Sequence, residues 1–391
     1  MKCDAVVLAA GKGTRLWPFT ETAAKPAIEI LDRPLIHYVL DFLVQNGVKK
    51  PCVVVNYRKD DVVRAVESYG IKSRFVNQDE PKGTGHALMV AEKYVGDDFI
   101  VVNGDVLLNG SVTLPLNSIL VVDRPHNGEY GTVVLKGGKL VGIHEKEPGK
   151  LINGGAYRLN DSVFEYLHDL SPSPRGEYEI TDILPKLGLR AVTVSSDRWL
   201  DVGRPWDLLV ATRRIISTLP DRQDGDVSPQ ATLRGKVFVA DDAEIRGSVY
   251  IEGPAYIGPG AVVGPHSYVR KYSAIGRDAR VGNAVEIKDS LLMAGAHVAH
   301  LSYVGDSVLG KGVNFGAGTI TANLRFDDRP VRGVSRKLGS FVGDYVKTGV
   351  HTSLMPGVRV GAGAWIFPGS VVYADVPAGA RVSGIYMGEG K

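Results

Sequence analysis

The stretch Ile257–Ile287 reads IGPGAVVGPHSYVRKYSAIGRDARVGNAVEI, and aliphatic residues recur in it at every sixth position: Ile257, Val263, Val269, Ile275, Val281 and Ile287. A second run, Val342, Thr348, Leu354, Val360, Ile366 and Val372, keeps the same step. Glycine follows several of these positions, as in Ile257-Gly258, Val263-Gly264, Ile275-Gly276 and Val281-Gly282. An ordinary half-buried strand alternates with period two and has no reason to keep period six. A hexapeptide repeat does: three short strands close one triangular coil, and one aliphatic side chain per repeat points inward. Coils then stack at the spacing of neighbouring strands, roughly 4.8 Å. The repeat predicts a left-handed parallel β-helix. The polar, basic stretch Thr321–Leu338, with Arg325, Arg329, Arg332, Arg336 and Lys337, breaks the repeat and is expected to loop outward.

Upstream of about residue 215 the pattern is different. Strand-like runs (Ala5–Leu8, Pro51–Asn56, Phe99–Val102, Gly131–Leu135, Ala191–Val194) alternate with helix-like stretches (Pro34–Gln45, Val62–Ser68, Thr84–Tyr94). That alternation predicts an α/β domain with a doubly wound, mostly parallel sheet, whose ligands bind beyond the carboxyl ends of the strands. With 391 residues two domains are expected, 1–220 and 221–391. Charged residues make up 23% and apolar residues 44%, a soluble globular balance. The net charge of +3, without a basic run interleaved with aromatics, gives no indication of nucleic acid. No apolar stretch approaches the roughly 20 residues of a membrane span, and the chain enters a strand at Ala5 rather than a signal peptide, so a cytoplasmic location is expected. Cys3 and Cys52 are too few for a disulfide framework and read as small core residues.

Near the start, Leu8-Ala9-Ala10-Gly11-Lys12-Gly13-Thr14-Arg15-Leu16 is an apolar strand end, a glycine-rich turn and a basic residue, followed by Lys25-Pro26. Glycine lets backbone N–H groups approach a phosphate, and Arg15 and Lys25 supply charge for polyphosphate oxygens. A nucleoside triphosphate is the ligand this suggests. Gln78 and Lys82-Gly83-Thr84-Gly85-His86-Ala87 form a second loop, with an amide suited to a base edge; His86 reads as structural at the helix start. Asn103-Gly104-Asp105 ends a strand with a carboxylate, and Trp199-Leu200-Asp201 supplies another. Two separated aspartates suit Mg²⁺, which takes oxygen ligands and is completed by substrate phosphates. Glu145 could accept from sugar hydroxyls, Lys146 could hold a sugar phosphate, and Asn153 offers an amide to a sugar.

As an ordered set, Leu8–Leu16, Lys25-Pro26, Asn103-Gly104-Asp105, Glu145-Lys146, Arg175–Asp182 and Trp199–Pro205 resemble the sugar-1-phosphate nucleotidylyltransferases. The resemblance implies a Rossmann-like domain in which a sugar-1-phosphate oxygen attacks the α-phosphorus of the triphosphate and pyrophosphate leaves. It implies Arg15 and Lys25 as catalytic, Asp105 and Asp201 as Mg²⁺ ligands, and nucleotide contacts from Leu8, Ala10, Gly11, Gly13, Thr14, Gln78, Gly83 and Thr84. Gly131, Glu145, Lys146 and Asn153 would bind the sugar phosphate. Gln78 with the Gly83–Ala87 segment is similar to uridylyltransferases that make UDP-N-acetylglucosamine. Leu16-Trp17-Pro18 and Trp199-Leu200-Asp201 look more like glucose-1-phosphate thymidylyltransferases, and Asp201 stands where the bacterial uridylyltransferase has asparagine. UTP and dTTP, and amino sugar and glucose, both stay open.

Large polar residues inside the hexapeptide region need a reason. Arg270, Glu286, Lys288, His300, Tyr303, Asn314 and Asn323 fall, in order and spacing, on the motif of the acetyltransferase domain of bifunctional uridylyltransferase/acetyltransferases, and the whole resembles their archaeal version. The resemblance implies His300 as general base for the sugar amine, which attacks the thioester of acetyl-CoA. Arg270 and Lys288 would grip the sugar phosphate, with Tyr303 and Asn314 around the amino sugar, Asn323 near the acetyl group and Ala317 beside the CoA arm. Leu324 departs from the aromatic found at that place in the bacterial enzyme. Fold analogy predicts a homotrimer through the coil. Two alternatives remain: a thymidylyl- or uridylyltransferase acting on glucose-1-phosphate with the coil as scaffold only, and a non-catalytic regulatory subunit.

Overall fold

The computed structural model describes residues 2–388 and divides into two compact units. The first comprises the chain through Lys12 together with 24–27 and 34–201. The second comprises 13–23, 28–33 and the chain from Val202 on.

The first unit is built on a nine-stranded sheet in the order 74–77, 51–55, 3–8, 95–103, 149–160, 118–126, 190–195, 139–144, 132–136. The strands 74–77, 51–55, 3–8 and 95–103 run parallel to one another, and 149–160 then enters antiparallel. Alternation along these strands sorts side chains to two faces. Ala5, Val7, Val53, Val55, Ile100 and Val102 meet the helices Leu35–Gln45 and Lys59–Tyr69. Val6, Cys52, Val54, Phe99 and Val101 meet Thr84–Ala91 and Val163–His168. Both faces are therefore covered, as a doubly wound sheet requires. Burial pushes the Cys52 thiol up to about 12, which leaves it unreactive, and Cys3 is likewise a buried free thiol. The helix Leu35–Gln45 ends where Gly47 takes φ +82°, the left-handed conformation that suits a glycine just past a C-cap.

The second unit is a left-handed parallel β-helix of three sheets with eight, nine and nine strands. Ile257 pairs with Ile275, Val263 with Val281 and Val269 with Ile287, so the six-residue series becomes three internal columns. All six are fully buried, as are Val342, Leu354, Val360 and Val372 of the second series. The step is not uniform. Ile275 pairs with Leu292 and Leu292 with Leu309, so two coils have 17 residues where the preceding coil has 18. The short corners are Lys288–Ser290 and Asp306–Ser307, where Asp289 and Asp306 adopt φ +49°. Asp289 receives a two-pronged ion pair from Arg213 (2.7 and 2.6 Å) on the helix Asp207–Thr218. The basic stretch leaves the coil between strands 320–321 and 341–342, closed by bridges Leu324–Lys337 and Val331–Ser335.

The N-terminal pieces of this unit are hydrogen-bonded to coil residues. Thr22 Oγ1 donates to Asp344 (2.7 Å), and Glu21 accepts from the Ala362 N–H (2.7 Å). Asp32 accepts from the Arg277 N–H (2.8 Å) and from Tyr256 (3.1 Å), and Glu29 pairs with Lys311 (3.0 Å). Burial raises the Asp344 carboxyl above its ordinary range despite donors from Thr22 and the Lys311 N–H.

Truncating Ile275 to Ala should cost about 3 kcal/mol in a denaturant melt, because the column leaves little room to collapse. For Asp344 the sign follows from its raised pKa. The folded chain holds a proton there where the unfolded chain has lost it, so its contribution favours folding at low pH and is lost as pH rises through the folded pKa. Asp344→Asn keeps an acceptor for Lys311 N–H and a donor for Thr22. Its Tm at about pH 7 should equal or exceed that of wild type, the gap closing toward about pH 4.

Candidate functional sites

In the first unit the strand 95–103 runs into Gly104 and Asp105, and the antiparallel partner strand Trp199–Asp201 brings Asp201 opposite Val106. Gly104 allows the close pass: its N–H donates to Leu8 O (2.9 Å), and a Cβ there would sit 3.0 Å from that oxygen. Asp105 and Asp201 thus come together from positions 96 residues apart (201 − 105). Lys25 lies against both, ion-paired to Asp105 and 3.6 Å from Asp201 Oδ1. Its ammonium, with only 11% of the side chain exposed, occupies the place between two carboxylates that a cation takes. An all-oxygen, two-carboxylate donor set fits Mg²⁺, whose remaining ligands are waters and phosphates. Among the described residues no cluster of three or more acidic, His or Cys side chains suits a metal that needs an all-protein cage.

Leu8 ends its strand half-buried, Ala10 is buried, and Gly11 is exposed with nothing within 4 Å of the Cβ it lacks. Gly13, Thr14 and Arg15 belong to the second unit. Gly13 takes φ +63°, and Thr14 and Arg15 are exposed on the following 3-10 turn. That turn is held by Thr20, whose hydroxyl donates to Gly13 O (3.1 Å), and by Trp17, which donates to Glu21 (2.6 Å) under the Arg359 guanidinium.

Gln78 is 2% exposed and its amide nitrogen contacts Gly83 O (3.1 Å) and His86 Nδ1 (3.0 Å). Gly83 has φ +100°, and a Cβ there would meet Tyr178 O at 2.6 Å, so the loop closes only around glycine. Thr84 Oγ1 accepts from the Ile180 N–H (3.1 Å). Gly131 and Glu145 are adjacent, a Cβ on the glycine falling 2.8 Å from Glu145 Oε1. Lys146 is exposed at φ +62°. Asn153 lies within the strand 149–160, and its amide turns onto Tyr157 (2.7 Å) and the Gly155 N–H (3.0 Å) instead of standing free.

In the coil, Tyr268, Glu286 and Tyr303 are successive rungs of one sheet. Arg270 bonds Glu286 (3.0 Å), and Lys288 bonds Asp306 (2.9 and 2.7 Å). Asn323 Nδ2 donates to Tyr303 Oη (3.1 Å) and to Asp306. Sequence spacing does not single out Asp306, which links Lys288 and Asn323 at the short corner. His300 ends the strand 297–300, paired with Asn283, and Asn314 stands one coil beyond His297. His300 is exposed, and among the described residues none hydrogen-bonds its imidazole. Its carbonyl is fixed by Ser302 Oγ (2.7 Å) and the Gly318 N–H (3.2 Å), which sets the backbone beside Ala317. The Arg325 and Arg329 guanidiniums are paired to Asp327, and Arg336 to Asp328.

Asp306 is 4% exposed at the side chain. Lys288→Met should therefore leave a buried carboxylate without its counter-charge and cost about 3 kcal/mol in a denaturant melt, most of it recovered by adding Asp306→Asn.

Residues 4–218 match the Nucleotidyl transferase family, and residues 245–356 match the GMPPB C-terminal domain. The "Bifunctional protein GlmU" of Methanococcus maripaludis strain C7 is 41% identical over 394 residues, covering 95% of this chain and 95% of its own. The "Bifunctional sugar-1-phosphate nucleotidylyltransferase/acetyltransferase" of Sulfurisphaera tokodaii is 38% identical over 399 residues, covering 96% and 98%. A glucose-1-phosphate thymidylyltransferase of Streptomyces griseus is 32% identical over 266 residues, covering 62% of this chain and 75% of its own. With matches running the length of both units, the chain belongs to the nucleotidyl transferase family, among its archaeal-type bifunctional sugar-1-phosphate nucleotidylyltransferase/acetyltransferases.

Proposed function

We propose that the chain N-acetylates glucosamine-1-phosphate with acetyl-CoA and transfers a uridylyl group from UTP to N-acetylglucosamine-1-phosphate, giving UDP-N-acetylglucosamine and pyrophosphate. Residues 1–220 would carry the transferase and 221–391 the acyltransferase. The observation that carries the reading is the convergence of Asp105 and Asp201 on Lys25 in a half-buried cluster.

In nucleotidyl transfer a sugar-phosphate oxygen bonds the α-phosphorus, the bond from that phosphorus to the β-phosphate bridging oxygen breaks, and pyrophosphate leaves. No protein nucleophile is needed, so catalysis is positioning and charge stabilisation. Mg²⁺, held by Asp105 and Asp201, would neutralise developing phosphate charge. Lys25 and Arg15 hold phosphate oxygens. Leu8, Ala10, Gly11, Gly13 and Thr14 line the triphosphate path, and Gln78, Gly83 and Thr84 the base. Glu145 accepts from sugar hydroxyls beside Gly131, where the absent side chain leaves it room. Lys146 meets the sugar phosphate, and Asn153 keeps one amide hydrogen for the sugar.

In acetyl transfer the sugar amine attacks the thioester carbonyl, the C–S bond breaks and CoA leaves as the thiol. The exposed imidazole of His300, which no described residue hydrogen-bonds, takes the amine proton. Arg270 and Lys288 hold the sugar phosphate, with Glu286, Tyr303 and Asn314 about the amino sugar, Asn323 at the acetyl group and Ala317 beside the CoA arm. Assembly of three copies through the coil is carried over from the fold analogy, and Leu301 (62%) and Tyr345 (60%) are large side chains exposed on the coil. No helix among the described residues is long and apolar enough to cross a membrane, which fits a cytoplasmic site of action.

The experiment is a pair of assays on the full chain. Asp105→Ala should abolish pyrophosphate release from UTP while thiol release from acetyl-CoA persists. His300→Ala should lower thiol release about 100-fold or more and leave pyrophosphate release intact. Absence of thiol release from the wild type would favour the scaffold-only alternative, and release unchanged in His300→Ala would remove His300 as the base. UTP crossed with dTTP, and glucose-1-phosphate with N-acetylglucosamine-1-phosphate, decides base and sugar.

A further inference from the structure

Gln78 is nearly sealed off, yet it is half-satisfied. Its backbone N–H donates to Val55 O (2.9 Å), fixing the residue just past the strand 74–77. Its side-chain nitrogen faces Gly83 O at 3.1 Å and His86 Nδ1 at 3.0 Å. A peptide carbonyl only accepts, so the nitrogen and not the oxygen of the amide must be on that side. The second amide hydrogen then meets His86 Nδ1, which must be the unprotonated ring nitrogen, with the imidazole proton on Nε2. Both amide hydrogens are spent inside the protein. Among the described residues nothing donates to Gln78 Oε1. That oxygen is not sealed in but keeps the little exposure the side chain has, so a ligand's donor can reach it.

We propose that His86 is a positioning residue for nucleobase choice: by accepting from Gln78 it holds that amide as a pure acceptor toward the base. This role rests on the nucleotidyl-transfer reading and narrows it. Uracil and thymine carry a hydrogen on N3 and can donate to Gln78 Oε1. Cytosine has a bare acceptor at N3, so pairing there is lost and two acceptors face each other. A site whose buried polar group is left unpaired by the wrong partner discriminates strongly. His86 also lies in the first turn of the helix Thr84–Ala91, so its ring orientation is set by a regular element instead of a free loop. The residues at the turn allow little slack: Gly85 N–H donates to Tyr178 O (2.7 Å) and Tyr178 N–H to Lys82 O (2.8 Å).

The test compares pyrophosphate release from UTP and CTP in wild type, His86→Leu and His86→Asn on the full chain. Leucine fills the space without an acceptor, whereas asparagine can place Oδ1 near the position of Nδ1. His86→Leu is expected to raise KM for UTP about 5-fold, with kcat within about 2-fold, and to lower the UTP/CTP ratio of kcat/KM about tenfold. His86→Asn should keep the ratio within about 2-fold. If His86→Leu does not fold, His86→Phe, which keeps a ring without an acceptor, is read in its place. An unchanged ratio in Leu or Phe would overturn the proposal. So would an equal loss in Asn and Leu, which would make the ring's packing, not its acceptor, the cause. Wild type that releases no pyrophosphate from UTP or dTTP would remove the nucleotidyl-transfer reading, and the role of His86 with it.

Discussion

The inward column of aliphatic side chains is the constraint on which the second unit depends. A coil of three short strands has almost no interior, and most positions that face it hold an aliphatic side chain, with Phe315 and Thr348 in one column as departures. Ile257, Ile275, Leu292 and Leu309 form one such column, each coil seated on the last by parallel strand pairing. The residues that flank each inward position point away from the column and can be polar. Arg270, Glu286, Lys288 and Tyr303 all lie beside a buried rung, Val269, Ile287 or Val304. A rigid apolar axis is thus what holds a set of charged groups in fixed register on the outside.

Charge in the first unit is arranged by a different route. Lys25, Asp105 and Asp201 come from a 3-10 turn, a strand exit and a short antiparallel strand, and none of these elements is near another in sequence. Gathering them makes a half-buried ion cluster of one positive and two negative groups, which leaves one negative charge over for a cation to offset. Removing any member shifts that balance where water is scarce, so the group is both a binding device and a structural commitment.

Much of this is legible in the sequence, for identifiable reasons. The six-residue step is a local signal repeated many times, so the inward positions from Ile257 to Ile287 follow from spacing alone. Asp105 and Asp201 are legible because strand ends and short motifs mark them. The shortened coils are not, since a step of five residues at Ile287–Leu292 looks like noise inside a period of six. Asp306 stays hidden because its partners, Lys288 and Asn323, are set by that same slip. The strands 118–126 and 149–160 evade a periodicity reading because they are long, mixed-direction members interrupted by register shifts. Residue type alone presents Asn153 as a sugar-facing amide; what it does not present is the bond by which that amide is oriented on Tyr157. Helical position makes His86 look purely structural; only the contact with Gln78 gives it a chemical task.

Glu21, Thr22, Glu29 and Asp32 stand near the beginning of the chain yet find their partners at Ala362, Asp344, Lys311 and Arg277. The gene therefore has no clean seam at the middle. A recombinant that joined the front half of this protein to the rear half of a distant cousin would inherit donors and acceptors whose matching partners had been left behind. Exchange of whole modules is penalised at these few sites, and the two halves are expected to have drifted through evolution as one inheritable piece.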